Sequence, residues 1–195
     1  VFYIHPENPQ PRLIEQVADL LRKDQLIIYP TDTSYAFGCR LGAKDALEKL
    51  KQIRALDDKH QFTLLCRDLS EIANYAAVDN VQFKQLKAHT PAPITFILNA
   101  TKDVPKKLAH AKKKTIGIRV PSNAIAQALL EAMDEPILTS SLILPNRDDI
   151  LDDPFEIEEL LGNQIDGLIN AGIKTTKLTT IVDMTSSQPE IIRQG

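Results

Sequence analysis

The sequence predicts an α/β fold, a single domain with a twisted mixed β-sheet flanked by helices. Three observations predict it. Short apolar runs of strand length, at 26–29 and 115–120, each end at a proline, which cannot extend a central ladder. Segments with a helical apolar period stand between such runs, so strands and helices alternate along the chain. No linker, repeat or low-complexity tract divides the 195 residues, so one domain spans 1–195.

The first helix is expected over 11–23, with Leu13, Val17, Leu20 and Leu21 on one face and Pro11 in the first turn. The apolar run 26–29 reads as a buried strand that stops at Pro30. Thr31, Asp32, Thr33 and Ser34 follow as a polar turn, then Gly38, which tolerates close approach or a positive φ. Ala43, Ala46, Leu50 and Ile53 give a second helix, 43–54, its apolar stripe. A strand is expected over 61–66 and helices over 68–75 and 80–88. Pro91-Ala92-Pro93 punctuates the chain before a strand over 94–99. The strand 115–120 ends at Pro121, and Ser122 reads as the N-cap of an apolar helix over 124–133. A short strand, 137–139, leads into Ser140-Ser141. Asp153-Pro154-Phe155-Glu156 starts a helix with a cap, a proline and an early acid. Strands near 167–169, 180–183 and 190–193 complete the chain.

A 43% apolar share with 25% charged residues is ordinary for a soluble globular protein. No apolar run approaches the roughly 20 residues of a membrane span. The beginning of the sequence lacks a basic-then-apolar signal pattern, so a cytoplasmic location is expected. The two cysteines, Cys39 and Cys66, have neither metal spacing nor a disulfide framework, and no metal site is expected. The net charge is −3 but uneven. Six lysines and Arg119 crowd the stretch 102–119, among them Lys106, Lys107, Lys112, Lys113 and Lys114, and an acidic stretch follows at 148–159. Such a basic run contacts phosphates without reading sequence, or else is a solvated face. No aromatic lies among the lysines, so folded or double-stranded RNA suits it better than single strands.

The stretch Pro30-Thr31-Asp32-Thr33-Ser34-Tyr35-Ala36-Phe37-Gly38-Cys39 resembles the Pro-Thr-(Glu/Asp)-Thr-x-Tyr-x-x-Gly signature of the YrdC family. The blocks 61–70 and 114–123 resemble the YciO branch of that family, and the resemblance runs from the first helix to the last residue. It implies a YrdC-like fold with a large concave polar and basic surface. It also implies ligands. Family members that make threonylcarbamoyl-adenylate join threonine, bicarbonate and ATP and release pyrophosphate, and the product serves modification of an adenosine in tRNA. ATP or AMP with Mg²⁺, threonine, and tRNA or double-stranded RNA are therefore the expected ligands and partners.

Two motifs of the family are altered. Its Lys-x-Arg aligns with Arg54-Ala55-Leu56, which keeps one cation and loses the other; Lys59 or His60 in the next loop is a candidate substitute, or else an exposed loop cation. Its Ser-x-Asn aligns with Ser141-Leu142-Ile143, where an alkyl group replaces an amide, although the hydroxyls of Thr139, Ser140 and Ser141 remain. Arg119 matches the family pattern and lies within an apolar strand, where it needs an acceptor: a ligand anion or Asp32. Thr179 stands where a substrate-facing Ser is usual, and Arg193 matches a late family Arg that approaches the nucleotide. The expected ligand-binding set is thus Thr31, Asp32, Thr33, Arg54, Arg119, Thr139, Ser140, Ser141, Thr179 and Arg193. No catalytic residue is assigned, because Asp32 is one carboxylate without a partner. The expected function is RNA and nucleotide binding related to threonylcarbamoyl-adenylate synthesis. If the protein is an enzyme, it is a weak nucleotidyltransferase of that kind. A non-catalytic RNA-binding paralogue and an enzyme for another adenylate or carbamoyl ligand remain alternatives.

Overall fold

The computed structural model describes residues 1–174 and 177–195. In chain order its elements are β1 (Phe2–Tyr3), α1 (Pro11–Arg22), β2 (Ile27–Pro30), β3 (Tyr35–Arg40), α2 (Lys44–Arg54), β4 (Thr63–Leu65), α3 (Leu69–Tyr75) and α4 (Asn80–His89). There follow β5 (Ile94–Asn99), β6 (Thr115–Arg119), α5 (Ala124–Met133), β7 (Ile137–Ser141), α6 (Pro154–Leu161), β8 (Gly167–Asn170), β9 (Thr180–Asp183) and β10 (Glu190–Arg193). The strands form one mixed sheet in the order β1-β8-β2-β3-β7-β4-β6-β5-β9-β10.

Three local expectations are corrected. β2 does stop at Pro30, but Pro30 is itself in the ladder, pairing with Tyr35 as the last residue of the strand. The residues from Tyr35 onward, given no element by the sequence pattern, form the six-residue strand β3, so Thr31–Ser34 is a hairpin loop. Ser122 is exposed, and Asn123 caps α5 instead: its Oδ1 accepts from the N–H groups of Ile125 (2.9 Å) and Ala126 (3.0 Å). Both residue types are competent caps, and the extended backbone of Asn123 (φ −65°, ψ 131°) places its side chain over the first turn. Asp153 caps α6 as expected, accepting from Phe155 N at 3.0 Å.

Side-chain alternation sorts the sheet into two faces. On one face Ile28, Phe37, Leu64, Ile116, Ile118 and Leu138 pack in one apolar cluster with Leu47 and Leu50 of α2, Ile72 of α3, Leu86 of α4 and Ile157 of α6. On the other, Ile27, Tyr29, Ala36, Leu65 and Ile137 pack beneath Val17 and Leu21 of α1 and Ile125 and Leu129 of α5. Each such side chain contributes about 1.5–3 kcal/mol by leaving water. The second layer is incomplete. Beyond Leu65 and Ile137 that face continues as Thr139 and Ser141 of β7, Thr63 of β4, Gly117 and Arg119 of β6, and Thr95 of β5. Polar residues replace the apolar pattern where no helix among the described residues covers the sheet, and that gap is the cavity. Gly117 is required in its floor, because a Cβ there would lie 2.6 Å from Thr63 Oγ1. No helix among the described residues is long and apolar enough to cross a membrane.

Candidate functional site

The cavity has a volume of about 260 Å³, and Thr63, Thr139, Ser141, Thr95 and Ile181 contribute its floor. Arg54, Arg119 and Arg193 enter it from three elements, α2, β6 and β10.

Arg119 is 6% exposed. Its strand neighbours Ile118 and Val120 belong to the opposite apolar layer, so the two-residue period turns its side chain to the cavity. Its guanidinium pairs with the Asp32 carboxylate and donates from Nη2 to Thr33 Oγ1 at 3.1 Å. Asp32 Oδ2 and Arg119 Nε have no partner among the described residues. The Thr31 hydroxyl braces the hairpin loop that carries Asp32, beside the backbone bond from Thr31 N–H to Ser34 O at 2.9 Å. Thr31 Oγ1 donates to Ser34 O at 2.7 Å and accepts from the N–H groups of Thr33 and Ser34, each at 3.2 Å. Asn123 ties the loop to α5, donating from Nδ2 to Thr31 O at 3.2 Å. Thr31, Asp32 and Thr33 therefore stand behind Arg119, and Ser34 is the loop residue on the cavity wall.

Arg54 ends α2 and donates from Nε to Ile143 O (3.0 Å) and from Nη1 to Ser140 Oγ (2.6 Å). Both partners are neutral, and burial lowers its pKa. The side chain of Leu56, at the altered second cation position, packs against the apolar layer beyond the sheet, while Ile143 lines the cavity. His60, from the loop after α2, stands on the Arg54 wall, its ring 4.9 Å from that of Phe62 and nearly perpendicular to it. Burial first, and the Arg54 charge second, push its pKa down to about 4.

Arg193 reaches the opposite wall through an irregularity in the sheet. Ile191 pairs with Val182, but Arg193, not Ile192, pairs with Ile181, so Ile192 is an extra residue in β10. A bulge of this kind re-aims the next side chain. Here it puts Arg193 on the cavity face, where it donates from Nε to Thr179 O and from Nη2 to Thr179 Oγ1, both at 3.0 Å. Thr179 Oγ1 in turn accepts from Thr95 Oγ1 at 2.9 Å. Burial lowers the Arg193 pKa as well. Tyr29 OH donates to Thr139 Oγ1 at 2.7 Å and fixes that hydroxyl.

The structure thus gathers seven of the expected residues, Arg54, Arg119, Thr139, Ser140, Ser141, Thr179 and Arg193, around one space, and places Thr31, Asp32 and Thr33 just behind it. Thr63, Thr95 and Gln61 were not anticipated; the alternation of hydroxyl and apolar residues in their strands is the signal that would have found Thr63 and Thr95. The five lysines lie elsewhere. All are exposed, on the segment between β5 and β6, and none lines the cavity. Val104 and Leu108 anchor the part with Lys106 and Lys107 in the layer opposite the cavity, beside α2.

Residues 19–195 match the family model for Sua5, YciO and YrdC proteins, described as telomere recombination. The YciO protein of Escherichia coli is 52% identical over 194 residues, an alignment spanning 100% of this chain and 94% of the relative. A Haemophilus influenzae protein is 49% identical over 195 residues, with the same two coverages. The crystal structure of E. coli YciO superposes with a TM-score of 0.95 at 52% identity, over 100% of this chain and 94% of the other. P. abyssi Sua5 complexed with L-threonine gives a TM-score of 0.89 at 19% identity, over 99% of this chain and 57% of Sua5, a likeness of fold.

Proposed function

The chain belongs to the Sua5/YciO/YrdC family, and from that premise we propose that its cavity binds an adenine nucleotide together with a small amino acid such as threonine, in chemistry related to threonylcarbamoyl-adenylate synthesis for tRNA modification. One observation carries this reading. Three guanidiniums converge on a cavity with no carboxylate among its described lining residues, and Asp32, behind it, is already paired with Arg119. Arg54 and Arg193 make their hydrogen bonds to neutral oxygens, so their charges are available to an anion. Planar guanidiniums suit phosphate and carboxylate in fork geometry.

In this reading Arg54 and Arg193 hold the anionic ends of the ligands. The hydroxyls of Thr139, Ser140 and Ser141 orient them, and the Asp32–Arg119 pair keeps the floor rigid. Among the described residues no three His, Cys, Asp or Glu side chains converge to cage a metal. Mg²⁺ would therefore enter on the nucleotide's phosphates, where it shares their charge. The loss of a cation at Leu56 and of an amide at Ile143 weakens transition-state stabilisation, each such donor being worth about 100- to 1000-fold in rate. Threonylcarbamoyl-adenylate synthesis is accordingly expected to be slow. The exposed lysines support a second partner, tRNA or double-stranded RNA, held through its phosphates.

Calorimetric titration with ATP and AMP, beside pyrophosphate release in the presence of ATP, bicarbonate and threonine, tests the reading. Nucleotide binding lost in Arg54→Ala and Arg193→Ala, with turnover far below an authentic synthase, is expected. Wild-type protein that binds neither nucleotide would overturn it.

A further inference from the structure

The Arg54 wall of the cavity holds a group that the fold does not use. His60 lines the cavity, and its imidazole makes no side-chain hydrogen bond among those found in the described residues; edge-on packing against Phe62 holds the ring. Its own backbone is fixed, its N–H donating to Asp57 O at 3.3 Å. The charged groups around it are Arg54 from α2 and Asp57 from its own loop, with Arg119 and Arg193 across the cavity.

We propose that His60 is a proton-dependent anion ligand: an anion entering beside Arg54 draws a proton from solvent onto the imidazole, so the second positive charge on this wall forms with the ligand. The inference rests on the reading of the cavity as an anion site. Three permanent guanidiniums already line this cavity, only Arg119 of them paired with a carboxylate, and a fourth fixed cation would add like-charge repulsion. A histidine avoids that cost. While the cavity holds no anion, burial and Arg54 keep the imidazole neutral. A phosphate between them outweighs the Arg54 charge and accepts a hydrogen bond from the imidazolium, which favours the charged form. The second ring nitrogen takes the proton; no other bond changes.

The test is proton-linked calorimetry with AMP, run in two buffers of different ionisation enthalpy between pH 5.5 and 7, on wild type and His60→Gln. Glutamine keeps hydrogen-bonding capacity but does not titrate, so protons taken up by AMP's own phosphate cancel between the two proteins. Wild type is expected to take up an extra fraction of a proton per AMP. Its affinity should rise more steeply on acidification than the variant's, by up to about tenfold per pH unit, the limit for one linked proton. An imidazole NMR signal that shifts toward the protonated form on adding AMP at pH 6 would agree. Equal proton uptake by both proteins overturns the role of His60 while leaving the anion cavity standing. No AMP binding by wild type overturns both.

Discussion

Arg119 and Asp32 form an ion pair with side chains only 7% and 8% exposed, joining the last residue of β6 to the hairpin loop between β2 and β3. The same guanidinium that braces the loop also faces the cavity. Removing one partner of a buried pair leaves the other charge uncompensated, so Asp32→Ala should lower the unfolding free energy by about 3–5 kcal/mol in urea.

Arg119→Lys separates bracing of the loop from anchoring of a ligand. Lysine keeps the charge but loses the planar guanidinium, whose Nη2 serves both Asp32 and Thr33. AMP affinity is expected to fall by about 1–3 kcal/mol, the range for a hydrogen bond to a charged group. A large drop in melting temperature with unchanged AMP affinity would show the residue to be structural alone.

Thr31→Val removes a single oxygen and with it three side-chain bonds that brace the hairpin loop. Thr31 is fully buried, so water cannot replace them. A loss of about 1–3 kcal/mol per orphaned buried group is expected in thermal or chemical melts. Ser141→Ala, at a half-buried position, should stay within about 0.5 kcal/mol of wild type. Equal effects at the two sites would refute the assignment of the loop to Thr31.

His60 makes stability pH-dependent in a defined window. Its folded pKa, about 4, lies below its unfolded value, so as pH falls from near 6.5 toward 4 the unfolded chain binds the proton first. Stability is therefore lost on acidification through that window. After discounting for partial exposure, the contribution is about 1–2 kcal/mol. The difference between wild type and His60→Gln, followed by urea unfolding from pH 7 to pH 4, isolates it from the carboxylates that titrate nearby. A difference that does not change with pH would sink the claim.

Lys112, Lys113 and Lys114 are consecutive and exposed just before β6. Changing all three to Ala should weaken binding to tRNA or double-stranded RNA. It should also flatten the salt dependence, since each phosphate contact adds about 0.7–0.9 to the slope of log affinity against log salt. Identical affinity and slope for the two proteins would remove RNA from this face.

Much of the site was legible because it depends on local rules. The two-residue period of Ile116, Gly117, Ile118, Arg119 and Val120 already sets Arg119 against its apolar neighbours, and the layers confirm that orientation. The strands over 94–99, 180–183 and 190–193 and the cap at Asp153 follow from period, β-branched content and capping chemistry, which need only a few adjacent residues. Tertiary structure decided the rest. Tyr35–Arg40 carries the turn motif's own residues, and only pairing with β2 and with β7 about 100 residues later makes it a strand. Asn123 rather than Ser122 caps α5 because its amide also reaches the Thr31 carbonyl, 92 positions back in the chain. Ile192 is a bulge only in register with β9, and without that slip Arg193 would face away from the cavity. Local chemistry writes the elements; register between distant strands aims the side chains, because one residue of slip turns a strand's residues to the other face.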